Sequence, residues 1–350
     1  MSEESWRKLV DVNRLSEWMD TLGLESGLLS DFCPLTGGTQ NLLLRFKRGN
    51  RQFVLRRPPL HTNANSAVTM QREARILGAL ANTEIPHPRL IANCADETIL
   101  GAHFYLMEPV DGYTAIGDLP ESVVGNSVYC HQMGLSMVDA IADLGAVDYK
   151  ALGLADFGKT EGFLNRQSSR WKKQFDSYNR YEGWSGKSLA PSIDKIANWL
   201  SQNCPKKFTP GIVHGDYHLG NVMFCHDRPE LAAIVDWELC TIGDPLLDLG
   251  WLVTTWPNPD GKAIVPTLEA RPWNDFSTVE ELINRYAKHS HRDLSQLNWY
   301  IVMACYKLGI ILEGTHARAF AGKAHIDTGE ILHQGTLALI DKALGWMQTP

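Results

Sequence analysis

The chain has 350 residues, of which 44% are hydrophobic and 21% charged, with a net charge of −7. That is the balance of a globular protein long enough for two domains or lobes. Its acidic character argues against a nucleic-acid binder, which would present a basic face. Seven cysteines (Cys33, Cys94, Cys130, Cys204, Cys225, Cys240 and Cys305) are odd in number and scattered, with no CxxC pair. This disfavours a disulfide framework or a zinc site and fits a reducing cytoplasm.

In chain order, residues Met1 to Asp20 mix charges with Trp6, Leu9, Val10, Leu15 and Trp18 near helical spacing. They predict an amphipathic helix and lack the apolar core of a secretory signal. Phe32 to Leu35, Leu42 to Phe46 and Phe53 to Leu55 read as strands around a Gly-rich turn, Thr36 to Asn41, and a hairpin turn at Gly49-Asn50. A helix is expected over Thr69 to Leu80, a loop at Pro86 and Pro88, and a further strand at Phe104 to Met107. Together these form a small antiparallel-sheet lobe, residues 1–112.

Residues 113–350 read as mainly helical. Apolar periodicity predicts helices over Val123 to Leu144, Phe163 to Tyr181, Asp194 to Leu200, Val279 to Tyr286 and Leu294 to Ala319. Loops are expected at Tyr181 to Ser188 and Pro257 to Lys262. The late apolar stretch Tyr300 to Leu312 is interrupted by Lys307 and is too short to span a bilayer, so no membrane anchor is expected.

The chemistry concentrates where two short apolar runs stop at polar groups. Ile212-Val213 leads into His214-Gly215-Asp216-Tyr217-His218-Leu219-Gly220-Asn221, and Ile234-Val235 leads into Asp236-Trp237-Glu238. Phosphoryl transfer of the kinase type needs such a set: one carboxylate to orient and deprotonate a hydroxyl, and an amide oxygen with a second carboxylate to hold magnesium. Gly215 permits a backbone angle or a close approach that a side chain would hinder. Alone, His-Gly-Asp is as well explained by an ordinary turn. Asp236 at a strand end would be costly to bury unless paired or bound to metal.

The pattern His214-Gly215-Asp216-x-His218-x-x-Asn221, then Ile234-Val235-Asp236-Trp237-Glu238 and Gly243-Asp244-Pro245-x-x-Asp248-Leu249, resembles the aminoglycoside phosphotransferase and choline-kinase-like family. Within it the chain is similar to the phosphotransferase domains found alone in bacteria or fused to acyl-CoA dehydrogenases. The likeness runs from about Leu35 to Gly322. It implies an α+β, bilobal protein-kinase-like fold with a small antiparallel-sheet N-lobe and a mainly helical C-lobe. It also implies ATP- and Mg2+-dependent transfer of the γ-phosphate to a hydroxyl of a small molecule, such as a hydroxy acid or hydroxyacyl-CoA.

Carried onto matching positions, the resemblance makes Asp216 the catalytic base, Asn221 and Asp236 the magnesium ligands, and Asp248 a brace for the catalytic loop. Gly37, Gly38 and Thr39 would cover the phosphates, although a Gly-Gly turn is also an ordinary hairpin. Arg56 stands where many relatives place a phosphate-gripping lysine, with Glu73 as its ion-pair partner or, alternatively, part of a plain charged helix face. Arg57 would point to the other face of the strand. Met107 would lie behind the adenine, which would bond backbone groups of Glu108 and Val110. The basic face with Arg166, Arg170, Lys172 and Lys173 suits an anionic substrate or is simply solvated. Trp251, Trp256, Tyr306, Glu313, His316 and Arg318 are further substrate-side candidates.

Expected partners are a small-molecule substrate and, as an open alternative, a second copy in a homodimer. A nucleotide-binding module without transfer activity and a metal-dependent hydrolase using His214, Asp216, His218 and Asp236 remain as rival readings. ATP is not separable from GTP on sequence alone.

Overall fold

In a computed structural model the described residues are 6–35, 41–59, 66–273 and 275–348. Contacts divide the chain into two units, Met1–Gly112 with Ala232–Glu238, and Tyr113–Leu231 with Leu239–Pro350. The short segment that carries Asp236 therefore groups with the N-terminal residues. Sequence reading had assigned everything after residue 112 to the helical part.

The first unit is built on a five-stranded antiparallel sheet of order β1-β2-β3-β5-β4. Its strands are β1 (Leu29–Pro34), β2 (Leu42–Arg48), β3 (Arg51–Arg57), β4 (Leu90–Cys94) and β5 (Phe104–Met107). The turn between Arg48 and Arg51, which pair directly, is Gly49-Asn50, with Gly49 at a left-handed φ of 55°. β4 was not anticipated. It is an edge strand after two prolines, and its partly exposed residues show no alternation for a period-two pattern to reveal.

The expected N-terminal helix is interrupted. Asp11 is extended, and its side chain accepts the N–H groups of Asn13 and Arg14, so a fresh helix, α1 (Val12–Thr21), starts there. Trp6 before the break is buried and stacks on Phe32 at 4.8 Å. Together with Leu15, Met19, Leu44, Phe46, Phe53, Leu55 and Phe104 it forms the core on one face of the sheet. On the other face lies α2 (Ser66–Leu80), with Met70, Ala74, Ile76 and Leu77 buried. The pleat sends neighbouring side chains of β3 opposite ways. Arg56 meets Glu73 of α2, while Arg57 donates from Nη1 to the Leu9 carbonyl at 2.7 Å.

After the short α3 (Glu97–Leu100), which precedes β5, the second unit opens with β6 (Gly117–Asp118), parallel to β11 (Ala270–Arg271). Its helices are α4 (Ser127–Ala146), α5 (Asn165–Asp176), α6 (Ala190–Gln202), α7 (Leu246–Thr255), α8 (Val279–His289), α9 (Leu297–Phe320) and α10 (Ile326–Trp346). Among them run β7 (Gly211–Val213), β8 (Val222–Phe224) and β10 (Thr241–Gly243), with β10 antiparallel to β7, while most of β9 (Leu231–Ile234) belongs to the segment that groups with the first unit. The predicted helix at Phe163 to Tyr181 is α5 followed by a 3-10 turn, Ser177–Arg180, and the expected loop Tyr181 to Ser188 contains a second such turn, Ser185–Leu189.

Neither α7 nor α10 was read from sequence. α7 is apolar nearly all round and enclosed except at Leu247, so it has no amphipathic stripe. α10 packs antiparallel on α9 through small residues: a Cβ on Gly329 would sit 2.9 Å from Ala319, and Thr336 Oγ1 donates to the Gly309 carbonyl. Among the described residues no helix is long and apolar enough to cross a membrane.

The burial of Trp6 ties the N-terminal segment to the sheet core. Trp6→Ala should destabilise the protein by about 3–5 kcal/mol, read as a lower denaturation midpoint in urea. An unchanged midpoint would show that the segment is peripheral.

Candidate active site

The helical unit presents a loop held from three sides. β7 delivers the chain at Val213, and Asp248, in the first turn of α7 and only 2% exposed, receives it. Asp248 Oδ2 accepts the His214 N–H at 2.7 Å and Oδ1 the Gly215 N–H at 2.8 Å. Burial still pushes the Asp248 carboxyl up to about 6. Gly215 has φ +89°, and a Cβ there would lie 2.7 Å from the Leu239 carbonyl oxygen. Glycine is required at 215 on both counts.

The chain then turns through Asp216. Asn221 Nδ2 donates to the Asp216 carbonyl at 2.9 Å and to its Oδ2 at 3.1 Å. The amide nitrogen is thus spent on Asp216, and the side chain's acceptor is its oxygen. His218 Nδ1 accepts the Gly220 N–H at 3.0 Å. This assigns the ring proton to Nε2, which faces Asp216 Oδ1 at 3.5 Å. Burial works against ionisation of Asp216, but His218, Lys307 and His214 outweigh it and hold its carboxyl below the ordinary range.

Lys307 of α9 is the residue that sequence reading missed. Its Nζ donates to the Gly215 carbonyl at 2.7 Å and sits 4.1 Å from the centre of the Trp251 ring. In the sequence it only interrupts an apolar helix, and that interruption was the available signal. Burial lowers its pKa to about 8, against the pull of Asp216 and Asp248.

The sheet unit holds a second cluster. Arg56, 6% exposed, forks onto Glu73, with Nε 2.8 Å from Oε2 and Nη2 3.4 Å from Oε1. Its Nη2 also reaches Asp236 Oδ1 at 2.7 Å, with Glu238 Oε2 at 3.9 Å. Tyr105 OH donates to Glu73 Oε2 at 2.8 Å, a contact with no sequence signal. Burial opposes the charge on Arg56, but Tyr105, Glu73 and Asp236 hold its pKa above the ordinary value. Burial likewise raises the Glu73 carboxyl, with Arg56 opposing. Asp236 adopts a left-handed φ of 65°, uncommon for a residue with a side chain.

Met107 is half-buried at the end of β5, in register with Val54 and Leu90. The Glu108 N–H donates to the Arg89 carbonyl at 2.9 Å, and its carboxylate pairs with Arg51 at 3.0 Å. Glu108 can therefore offer a ligand its carbonyl but not its N–H. Val110 follows, also half-buried. Gly37, Gly38 and Thr39 lie outside the described residues.

The structure thus brings Asp216 and Asn221 together in one unit, and Arg56, Glu73 and Asp236 in the other. Of the basic face on α5, Arg166, Arg170 and Lys173 line a cavity of about 620 Å³ together with Phe163, while Lys172 is committed to Asp176 and Asp194. Trp251, Trp256 and Tyr306 are core.

Lys307 makes stability depend on pH. Between about 8 and its unfolded value of about 10.4 the unfolded chain holds a proton that the folded chain has released, so stability gains as pH rises through that window. Melting curves of wild type against Lys307→Met should diverge there, by up to about 3 kcal/mol. Parallel curves would place the ammonium in solvent.

A family model described as "Phosphotransferase enzyme family" matches residues 31–282. Acyl-CoA dehydrogenase family member 10 of Mus musculus is 29% identical over 331 residues, covering 93% of this chain and 30% of that protein. Acyl-CoA dehydrogenase family member 11 of Gallus gallus is 28% identical over 319 residues, covering 88% of this chain and 39% of that protein. This chain therefore spans well under half the length of these relatives. A crystal structure of a protein from Ralstonia eutropha JMP134 superposes with a TM-score of 0.76 at 27% identity, covering 95% of this chain and 98% of that one. Choline kinase of Cryptosporidium parvum Iowa II shares the fold, with a TM-score of 0.60 at 12% identity over 90% of this chain and 89% of that one. With its five-stranded antiparallel sheet, its helical second unit and a match over most of its length, the chain belongs to the phosphotransferase enzyme family and has the α+β, protein-kinase-like fold.

Proposed function

We propose that this protein transfers the γ-phosphate of ATP, with Mg2+, to a hydroxyl of a small molecule. The observation that carries the reading is Asp216, a carboxylate kept ionised by His218, Lys307 and His214 on a loop braced by Asp248. Such a group takes the proton of a bound hydroxyl as its oxygen bonds to the γ-phosphorus. The bond from that phosphorus to the bridging oxygen breaks, and ADP leaves.

The remaining roles follow from donor chemistry. The Asn221 oxygen and the Asp236 carboxylate are hard oxygen ligands of the number that magnesium takes from protein while keeping its waters. Magnesium supplies charge neutralisation on the phosphates. Arg56, permanently charged and fixed by Glu73, gives the phosphates a cation that needs no reorganisation. Met107 backs the adenine, which bonds the Glu108 carbonyl and the Val110 N–H.

For the acceptor we favour a hydroxy acid or hydroxyacyl-CoA. Two relatives are named as acyl-CoA dehydrogenase family members, and Arg166, Arg170 and Lys173 line one cavity suited to an anion. Seven free thiols suit a reducing cytoplasm.

The test is to incubate purified protein with ATP, Mg2+ and metabolite pools and to read new phosphorylated masses. Asp216→Asn should reduce transfer by about 10²–10⁴-fold while ATP affinity stays within a few-fold of wild type. Near-normal turnover in that variant would remove Asp216 as the base. ATP binding without transfer to any metabolite would mark a nucleotide-binding module instead.

A further inference from the structure

A second cluster of ionisable groups lies in the helical unit and has no part in the chemistry above. Glu313 of α9 is fully buried. Its Oε1 accepts from Trp184 Nε1 at 2.6 Å and lies 2.8 Å from Nδ1 of His316, one turn further along the helix. Its Oε2 lies 2.7 Å from Nδ1 of His333, on α10. The two imidazole rings are 4.3 Å apart, and one ligand atom from each of the three residues falls within 4.8 Å of the others.

A buried carboxylate needs a cation. No lysine or arginine pairs with Glu313 among the described residues, so its counter-charge is either a protonated histidine or a metal ion. The convergence of one ligand atom from each of three side chains favours a metal. In the ion-free arrangement each Nδ1–H donates to Glu313, and an incoming metal ion takes the place of these protons, which pass to solvent. Trp184 Nε1–H fixes one carboxylate oxygen from the other side. A Cβ at residue 186 would collide with Glu313 Oε1, so the chain closes tightly over the carboxylate. His333 is 16% exposed, which gives an ion a way in and room for water as a fourth ligand.

We propose that Glu313, His316 and His333 bind a transition-metal dication of the Zn2+ type, which ties α9 to α10 beneath the turn carrying Trp184. Two imidazoles and one carboxylate suit zinc or cobalt far better than magnesium. The site is separate from the proposed phosphoryl transfer and stands or falls independently of it.

The experiment uses full-length protein stripped with a chelator and re-equilibrated with Co2+ or Zn2+. Wild type should take up one tightly held ion per chain, with visible d–d absorption for Co2+, and its melting temperature should fall when the ion is removed. Asp216→Asn should keep that ion, which separates it from the catalytic-loop histidines. His333→Ala should lose it with unchanged circular dichroism. His333→Cys should retain it and add a thiolate charge-transfer band in the near ultraviolet. If wild type holds no such ion and melts identically with and without chelator, the counter-charge is an imidazolium and the proposal is wrong. Equal uptake by wild type and His333→Ala would overturn it as well.

Discussion

The carboxylate of Asp248 decides where residues 214–216 point. It is buried, and two short hydrogen bonds from consecutive backbone N–H groups satisfy its two oxygens. Hydrogen bonds to an ionised acceptor are roughly twice as strong as neutral ones, so this grip resists any shift of the chain between His214 and Gly215. The left-handed angle at Gly215 follows, because the chain must leave Asp248 and pass the Leu239 carbonyl without a Cβ in the way. Asp216 then emerges in an orientation that Asn221 can cap from both its carbonyl and its side chain.

Two carboxylates, Asp216 and Asp248, oppose each other's ionisation in this small volume, and Lys307 is what makes the arrangement tolerable. The ammonium bonds the carbonyl of Gly215, the residue whose N–H Asp248 holds, and rests on the Trp251 face. A cation over an indole ring in a desolvated setting recovers part of the cost of burial. The lysine thereby serves two functions with one charge: it fixes the loop from the side opposite Asp248, and it keeps Asp216 ionised.

The site was legible in sequence where a polar residue ends an apolar run, as at His214 to Asn221 and Ile234 to Glu238, because burying a strand beside such groups makes sense only if they are satisfied. The Arg56–Glu73 pair was implied by the family resemblance, since no local pattern joins a strand residue to a helix residue across a loop. What stayed hidden lacked a periodic signal. Lys307 looked like a flaw in an apolar helix, and its meaning depends on Gly215, far away in sequence. α7 is apolar nearly all round and α10 packs through Gly329 and Gly335, so neither shows a stripe. The N-terminal helix was read as one piece because apolar spacing continues across Asp11, while the cap that interrupts it is a local side-chain choice. The grouping of residues 232–238 with the sheet unit rests on tertiary contacts such as the Ile234 N–H to the Pro86 carbonyl, which no local pattern encodes.

The two buried cations also explain why position 56 holds arginine. At Lys307, burial outweighs the pull of Asp216 and Asp248 and brings an ammonium down to about 8, close to losing its charge under ordinary conditions. Arg56 is enclosed to a similar degree, yet a guanidinium stays protonated in such a place and spreads its charge over a planar fork. That fork lets one side chain engage Glu73 along Nε and Nη2 while Nη2 also meets Asp236. A lysine would offer a single point of charge to two carboxylates and would be drawn toward one of them. Arginine keeps both in place at once, and Tyr105 holds Glu73 from behind so that the fork cannot swing. Asp236 is then pinned through Oδ1 and held at a left-handed backbone angle that few residues with a side chain adopt.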